Sequence, residues 1–237
     1  MPALRTRPST APTRRGAKVV AITSAAAVAA VGVTLSLAAW TDNEWLTSGF
    51  DGDDPAISTS AFEVEQYAYP STGGSAGTFS QHETSDDANV VTFSVEALSP
   101  QVPSYGLVGL RTTAGSLGGA LTLQAADDLL NAGTTTDAAA AALFAATEVT
   151  VWTWSEADST PAFGCDASTS SQPGVTQIAA GALAAAAGSA SQELAAEGGD
   201  VQYYCYQLLF DVPDGADPED YMGVGLVPAW EFTAESD

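Results

Sequence analysis

Beyond Lys18 this chain has no lysine, and Arg111 is its only other basic side chain. Against that arginine stand 29 acidic residues, all of them after Thr41. Nucleic-acid affinity comes mainly from Lys and Arg neutralising phosphates, so a nucleic-acid partner is excluded. Anionic lipid headgroups are repelled for the same reason, which leaves the membrane to be met only through the N-terminal segment. Histidine is equally scarce. His82 is the only one, and with two cysteines it falls short of the four ligands of a structural zinc centre. The pair His82-Glu83 has no second histidine four residues on, the spacing by which a zincin holds its metal on one helical turn. His82 sits in a Ser/Thr/Asp-rich segment that reads as a solvated loop. A Ser-His-Asp triad would have to form around it, and no Gly-x-Ser-x-Gly elbow is present. So many acids make close carboxylate pairs inevitable, which removes them as a catalytic signal. The chain does not read as an enzyme.

What is abundant is acid, and its physical content is solubility and attraction for cations rather than a fold. Two clusters offer the oxygen ligands that hard cations prefer: Asp51-Gly52-Asp53-Asp54, and Asp214 with Asp217, Glu219 and Asp220. Neither has the twelve-residue spacing of an EF-hand. Calcium and a plain solvated acidic turn both stand as readings, and no other cofactor is implied.

The first fifty residues hold what the rest lacks. Arg5, Arg7, Arg14, Arg15 and Lys18 precede an uncharged run over 19–40. A basic region, an apolar region and small residues at its end form an export signal. Small-x-small cleavage candidates are Ser36-Leu37-Ala38 and Leu37-Ala38-Ala39, so the cut falls around Ala38, Ala39 and Trp40. An uncleaved anchor is the competing reading, because twenty-odd uncharged residues can span a bilayer. The many alanines and glycines insert weakly and favour cleavage. Arg14-Arg15 lacks the hydrophobic residue expected soon after a twin-arginine pair, so export is of the ordinary kind. The chain thus divides into a signal helix at 1–39, a leader at 40–50 and a domain at 51–237. The product is secreted, either free outside the cell or held at its surface. In that setting Cys165 and Cys205 are most simply a disulfide. Closing a loop of about forty residues stabilises the fold by roughly 3–4 kcal/mol in the chain-entropy model. Two free buried thiols are the alternative. Cys165, between Gly164 and Asp166 in a loop, is placed to reach Cys205 across the sheet edge.

Within the domain the pattern is that of strands. Residues 61–67 alternate apolar and polar, as do residues 89–97, where Val91, Phe93, Val95 and Ala97 fall on one face. Residues 105–113 and 120–124 are shorter candidates, and 148–154 is rich in β-branched and aromatic side chains. Residues 201–210 share that richness with little alternation, which suits a central strand covered on both faces. Residues 225–233 put Trp230 and Phe232 on one side, with Pro228 marking an edge or a bulge. Thr136-Asp137 caps an alanine-rich helix ending near Thr147. Residues 125–131 suggest a second short helix. Residues 177–197 are ambiguous, since alanines permit a helix that Gly181, Gly188 and the serines weaken. Tyr203, Tyr204, Tyr206, Trp152 and Trp154 read as core, with a carbohydrate-binding face as the alternative. Many short antiparallel strands with one helical excursion indicate a β-sandwich.

The junction at Ala38-Ala39-Trp40, Thr41-Asp42-Asn43-Glu44 and Thr47-Ser48-Gly49-Phe50 resembles exported proteins with a SipW-type signal peptide, the TasA and camelysin group. A second likeness, to the version in high-GC Gram-positive bacteria, lies in Tyr204-Cys205-Tyr206-Gln207-Leu208 and Ala229-Trp230-Glu231-Phe232-Thr233-Ala234-Glu235-Ser236. Together they cover about a third of the chain. The resemblance implies a jelly-roll-like antiparallel β-sandwich with one or two short helices, preceded by the signal helix. It implies a dedicated signal peptidase, and self-association or association with sister matrix proteins of a biofilm. There the leader adds as a strand to the next subunit, backbone hydrogen bonds supplying affinity and side-chain pockets specificity. Trp40, Trp45, Leu46 and Phe50 are the side chains to bury and Gly49 the bend. TasA-like chains are rich in lysine, so contacts that rely on lysine do not transfer here. Camelysin relatives have been described as metalloproteases, an activity for which His82-Glu83 lacks the second histidine. The expected function is a structural protein of the cell surface or extracellular matrix that forms fibres by strand donation. A monomeric cell-wall binding module is the alternative, its leader completing only its own sheet, and a hydrolase stands third. N-terminal sequencing of the exported protein should give a start between Ala39 and Phe50; a product still beginning near Met1 would show a retained anchor.

Overall fold

The computed structural model describes residues 61–95, 97–131 and 137–237. The signal segment, the leader and the acidic cluster at 51–54 lie outside them. Among the described residues ten strands and one α-helix follow in chain order. They are β1 (Val64–Tyr69), β2 (Ser104–Thr112), β3 (Gly119–Leu123), β4 (Asp127–Asp128), α1 (Ala138–Ala145) and β5 (Thr147–Glu156). After these come β6 (Thr176–Ala182), β7 (Gln192–Leu194), β8 (Val201–Phe210), β9 (Pro228–Ala229) and β10 (Phe232–Ser236). Five strands form one sheet in the order β1-β2-β8-β5-β6, three form a second in the order β10-β3-β7, and β4 pairs with β9. Every ladder between these strands is antiparallel. The fold is an antiparallel β-sandwich, as the strand pattern indicates.

Strand β8 explains the layering. Successive side chains of a strand point to opposite faces, and β8 is apolar or aromatic on both. Tyr204, Tyr206 and Leu208 face the three-stranded sheet, packing with Val108 and Leu110 of β2, Val149 and Val151 of β5, and Leu121 and Leu123 of β3. Val201, Tyr203 and Cys205 face the other way, with Tyr69, Leu107 and Trp154. Among the described residues no sheet covers that second face. Its cover is irregular chain, which brings Phe79 and Cys165 into the cluster with Phe163 packed against it. Hydrogen bonds hold this layer down. Tyr69 Oη donates to Ser159 O at 2.6 Å and Tyr203 Oη to Asp158 O at 2.8 Å. Glu156 accepts from Trp154 Nε1 and from Ala162 N, both at 2.9 Å.

The disulfide joins the same two layers. Cys165 and Cys205 are bonded, with Cα atoms 5.3 Å apart and a separation of 40 positions in sequence. Cys165 comes down on the face of the sheet and not across its edge, because β8 is the middle strand of five.

Three other expectations are corrected, and one ambiguous stretch is resolved. The described residues of the 89–97 segment, 89–95 and 97, form no strand. Val91, Phe93 and Val95 do point inward and Thr92 and Ser94 outward, but Ala97 is exposed and the segment makes no ladder. It is tied to the start of β2 by Ser94 N donating to Tyr105 O at 2.8 Å and Tyr105 N donating to Ser94 Oγ at 3.0 Å. Residues 125–131 are not helical. Ala126 N donates to Leu183 O and Leu129 N to Val227 O, so tertiary partners take the amides that a helix would need. The ambiguous stretch at 177–197 resolves into the end of β6, a turn and β7, where Gly181 adopts φ 131°, a value that favours glycine. Residues 225–233 split between two ladders, with Pro228 in the two-stranded one, an edge position. The capped helix is present: Asp137 accepts from Ala139 N and Ala140 N, and Ala140, Leu143 and Phe144 are buried. Unreduced mass spectrometry should show Cys165 joined to Cys205, and reduction should lower unfolding stability by roughly 3–4 kcal/mol. Two alkylatable thiols in freshly exported protein would contradict the pairing.

Candidate functional site

The aromatic residues that a carbohydrate face would need are spent inside. Tyr203, Tyr204, Tyr206 and Trp154 are buried, and Trp152 packs half-buried against the loop-covered cluster. Trp154 stacks on Tyr203 with ring centroids 5.3 Å apart, and Tyr203 meets Tyr69 at 5.6 Å. Burial disfavours the phenolate, so Tyr69, Tyr204 and Tyr206 ionise above the ordinary tyrosine range. Tyr203 is raised first by burial and then by its hydrogen bond with Tyr69.

His82 belongs to an edge device. Its Nε2 is 2.8 Å from Ser80 Oγ, and its Nδ1 lies beside Asp87, while Glu83 is exposed. Ser80 in turn exchanges backbone hydrogen bonds with Gln66 at 2.9 and 3.1 Å, covering the outer edge of β1. Arg111 is also structural. Its Nε donates to Glu65 Oε1 at 2.7 Å from the directly opposite position, and its guanidinium lies 4.1 Å over the Phe79 ring. The acidic segment at 214–220 is an exposed turn in which Asp217 Oδ1 accepts from Glu219 N at 3.0 Å. Among the described residues no three His, Cys, Asp or Glu side chains converge to hold a metal ion. A shallow depression of about 310 Å³ lies on the outer face of the three-stranded sheet, between Thr122, Gln124, Ser191, Thr233 and Glu235.

The feature with functional content is the margin of the core. The small sheet is two strands narrower than the large one, and Val64, Phe93, Leu98, Leu226, Trp230 and Phe232 pack on the core while remaining half-buried. Trp230 sits 4.6 Å from Tyr206 and 6.5 Å from Phe93, and Phe232 sits 4.7 Å from Tyr204. The Trp230 indole N–H is buried with no hydrogen-bond partner among the described residues, a costly arrangement for a donor. Alternation in the sequence points to Trp230 and Phe232 as a facing pair. Their position at an incomplete margin depends on how the sheets stack, which no local pattern reports. The leader residues Trp40, Trp45, Leu46, Gly49 and Phe50, and the cleavage region at Ala38 and Ala39, lie outside the described residues.

Neither a protein-family model nor a curated protein matches this chain. Among the described residues no helix is long and apolar enough to cross a membrane.

The four tyrosines raised by burial set an alkaline limit. Their folded values lie above the unfolded value of about 10, so the stability they confer is complete below pH 10 and is lost as pH rises through the folded range. Spectroscopic titration should therefore show these four phenols ionising together with unfolding. Ionisation of all of them in a protein that keeps its native circular dichroism would contradict the burial.

Proposed function

We propose that this is a secreted structural protein of the cell surface or extracellular matrix, assembling with copies of itself by donation of residues 40–50. The observation that supports this reading is the incomplete margin of the sandwich, where half-buried aromatics flank the narrower sheet. The leader supplies the complement. Trp40, Trp45, Leu46 and Phe50 are large apolar side chains on a short acidic segment, and burying each contributes roughly 1.5–3 kcal/mol. The disulfide fits an oxidising location outside the cytosol. The SipW-type resemblance of the junction selects a neighbouring copy, or a sister matrix protein, as the acceptor. High negative charge on every copy opposes association until protons or divalent cations reduce it.

The exported protein should therefore be monomeric at neutral pH and low salt, and filamentous at acidic pH or with calcium, as seen by light scattering and electron microscopy. Deleting residues 40–50 should abolish filaments while leaving a folded, disulfide-bonded domain. If the truncated protein polymerises as well as the intact one, or the intact one stays monomeric throughout, the binding-module reading replaces this one.

A further inference from the structure

We infer that the acceptor is the outer edge of β10, and that its occupant is the 40–50 segment of a second copy; this rests on the strand-donation reading above. Four strands stand at the ends of the two sheets: β1, β6, β7 and β10. Edge strands present a row of backbone N–H and C=O groups to any strand that can align with them. Strand β1 is blocked, because Ser80 already exchanges two backbone hydrogen bonds with Gln66 at its middle. Strand β6 is interrupted, because its register against β5 shifts near Ile178 and Ile178 O accepts from Ser189 N at 2.8 Å. Strand β7 is three residues long and carries Glu193. Strand β10 has five residues and, among the described residues, pairs on one side only.

The hydrogen-bond parity of β10 shows which groups face outward. Gln124 N donates to Glu231 O at 2.9 Å, and Asp237 N to Gly118 O at 3.3 Å. In an antiparallel ladder bonded pairs alternate, so Thr233 and Glu235 also bond toward β3. The N–H and C=O groups of Phe232, Ala234 and Ser236 therefore face away from β3, and the structure gives them no partner among the described residues. The inner face at this edge is also uncovered. Ala234 pairs with Leu121, which is fully buried, yet Ala234 itself is exposed. Phe232 beside it is half-buried, and Trp230 beyond it holds its unpaired indole N–H. A strand laid here satisfies the free backbone groups. It also sets one face over Phe232, Trp230 and Phe93. In an extended leader, Leu46 and Phe50 fall on a common face suited to that cover.

The direction of entry favours a second copy over the chain's own leader. Ala61 makes an isolated parallel bridge to Ser116, its carbonyl accepts from Leu117 N, and the Phe62 ring packs at Gly119, which pairs with Ser236. A leader running straight back from Ala61 along its own β10 would lie parallel to it. Every ladder between strands in this fold is antiparallel, the pairing that is slightly more stable per residue. A neighbour's leader is free to align antiparallel. Glu231, Glu235 and Asp237 on the acceptor and Asp42 and Glu44 on the donor put carboxylates on both partners, so acidification or divalent cations should favour docking here.

The test is Ala234→Pro in the exported protein. Proline removes an outward-facing N–H and obstructs strand addition without touching the bonds to β3. Its critical concentration for assembly should rise by about ten-fold or more, a loss of about 1.4 kcal/mol, with melting temperature and disulfide unchanged. Ser236→Pro reads the same edge should Ala234→Pro fail to fold. Folded proline variants that assemble like the parent, while deletion of 40–50 still stops assembly, would overturn the β10 assignment and leave strand donation standing. Assembly that survives the deletion, or never occurs in the intact protein, would overturn both. Hydrogen-exchange protection of Phe232, Ala234 and Ser236 in the intact monomer, lost on deletion of 40–50, would make the chain's own leader the occupant and overturn the second-copy assignment.

Discussion

Burial of one strand on both faces is the constraint from which the architecture follows. Strand β8 bonds to β2 on one side and β5 on the other along nearly its whole length, and its apolar side chains alternate between two separate clusters. One cluster demands a second sheet and receives β10-β3-β7. The other receives no sheet among the described residues, where irregular chain covers it, and irregular chain has no ladder to hold it in place. The phenol groups of Tyr69 and Tyr203, the carboxylate of Glu156 and the Cys165–Cys205 bond supply that hold instead. The disulfide therefore secures a layer that hydrophobic burial alone leaves loosely specified.

The central strands were legible because their signals are local. Strand β8 coincides with the stretch read from its unalternating aromatic and aliphatic run, and Asp137 caps α1 as a residue of its type should. The misreadings have one origin. Alternation reports which way side chains face, and at 91–95 it reports correctly, but facing does not guarantee a partner strand. Alanine-rich segments carry helix propensity, yet at 125–131 and 177–197 long-range partners outweigh it, as the weak prior that propensity provides allows. The candidate acceptor was least legible. Pro228, Trp230 and Phe232 mark an edge in the sequence. Which edges stay open is decided by Ser80 on β1 and Ser189 on β6, each returning to its strand through irregular chain whose path no local pattern reports.

The same structure carries two opposed properties. The interior margin is apolar and incomplete, which favours association, while the surface is acidic, which opposes it. Under the proposed function, such a molecule would stay dispersed during export, with its assembly governed by the ionic conditions outside. Charged residues protecting an exposed strand are a familiar defence against unwanted edge pairing. Here Glu231 and Glu235 flank the open edge on its outer face without occupying the backbone groups themselves.

The ion pair on β2 has a further consequence. Arg111 is the one basic side chain beyond Lys18, and it lies within a strand paired on both sides, its guanidinium against Glu65 and over Phe79. A protease that cleaves after lysine or arginine must draw an extended, unpaired segment into its cleft. The single peptide bond beyond Lys18 that such an enzyme recognises, Arg111–Thr112, is held in the ladder with β1. Resistance to that class of protease thus rests on composition and on one part-buried contact within a paired strand.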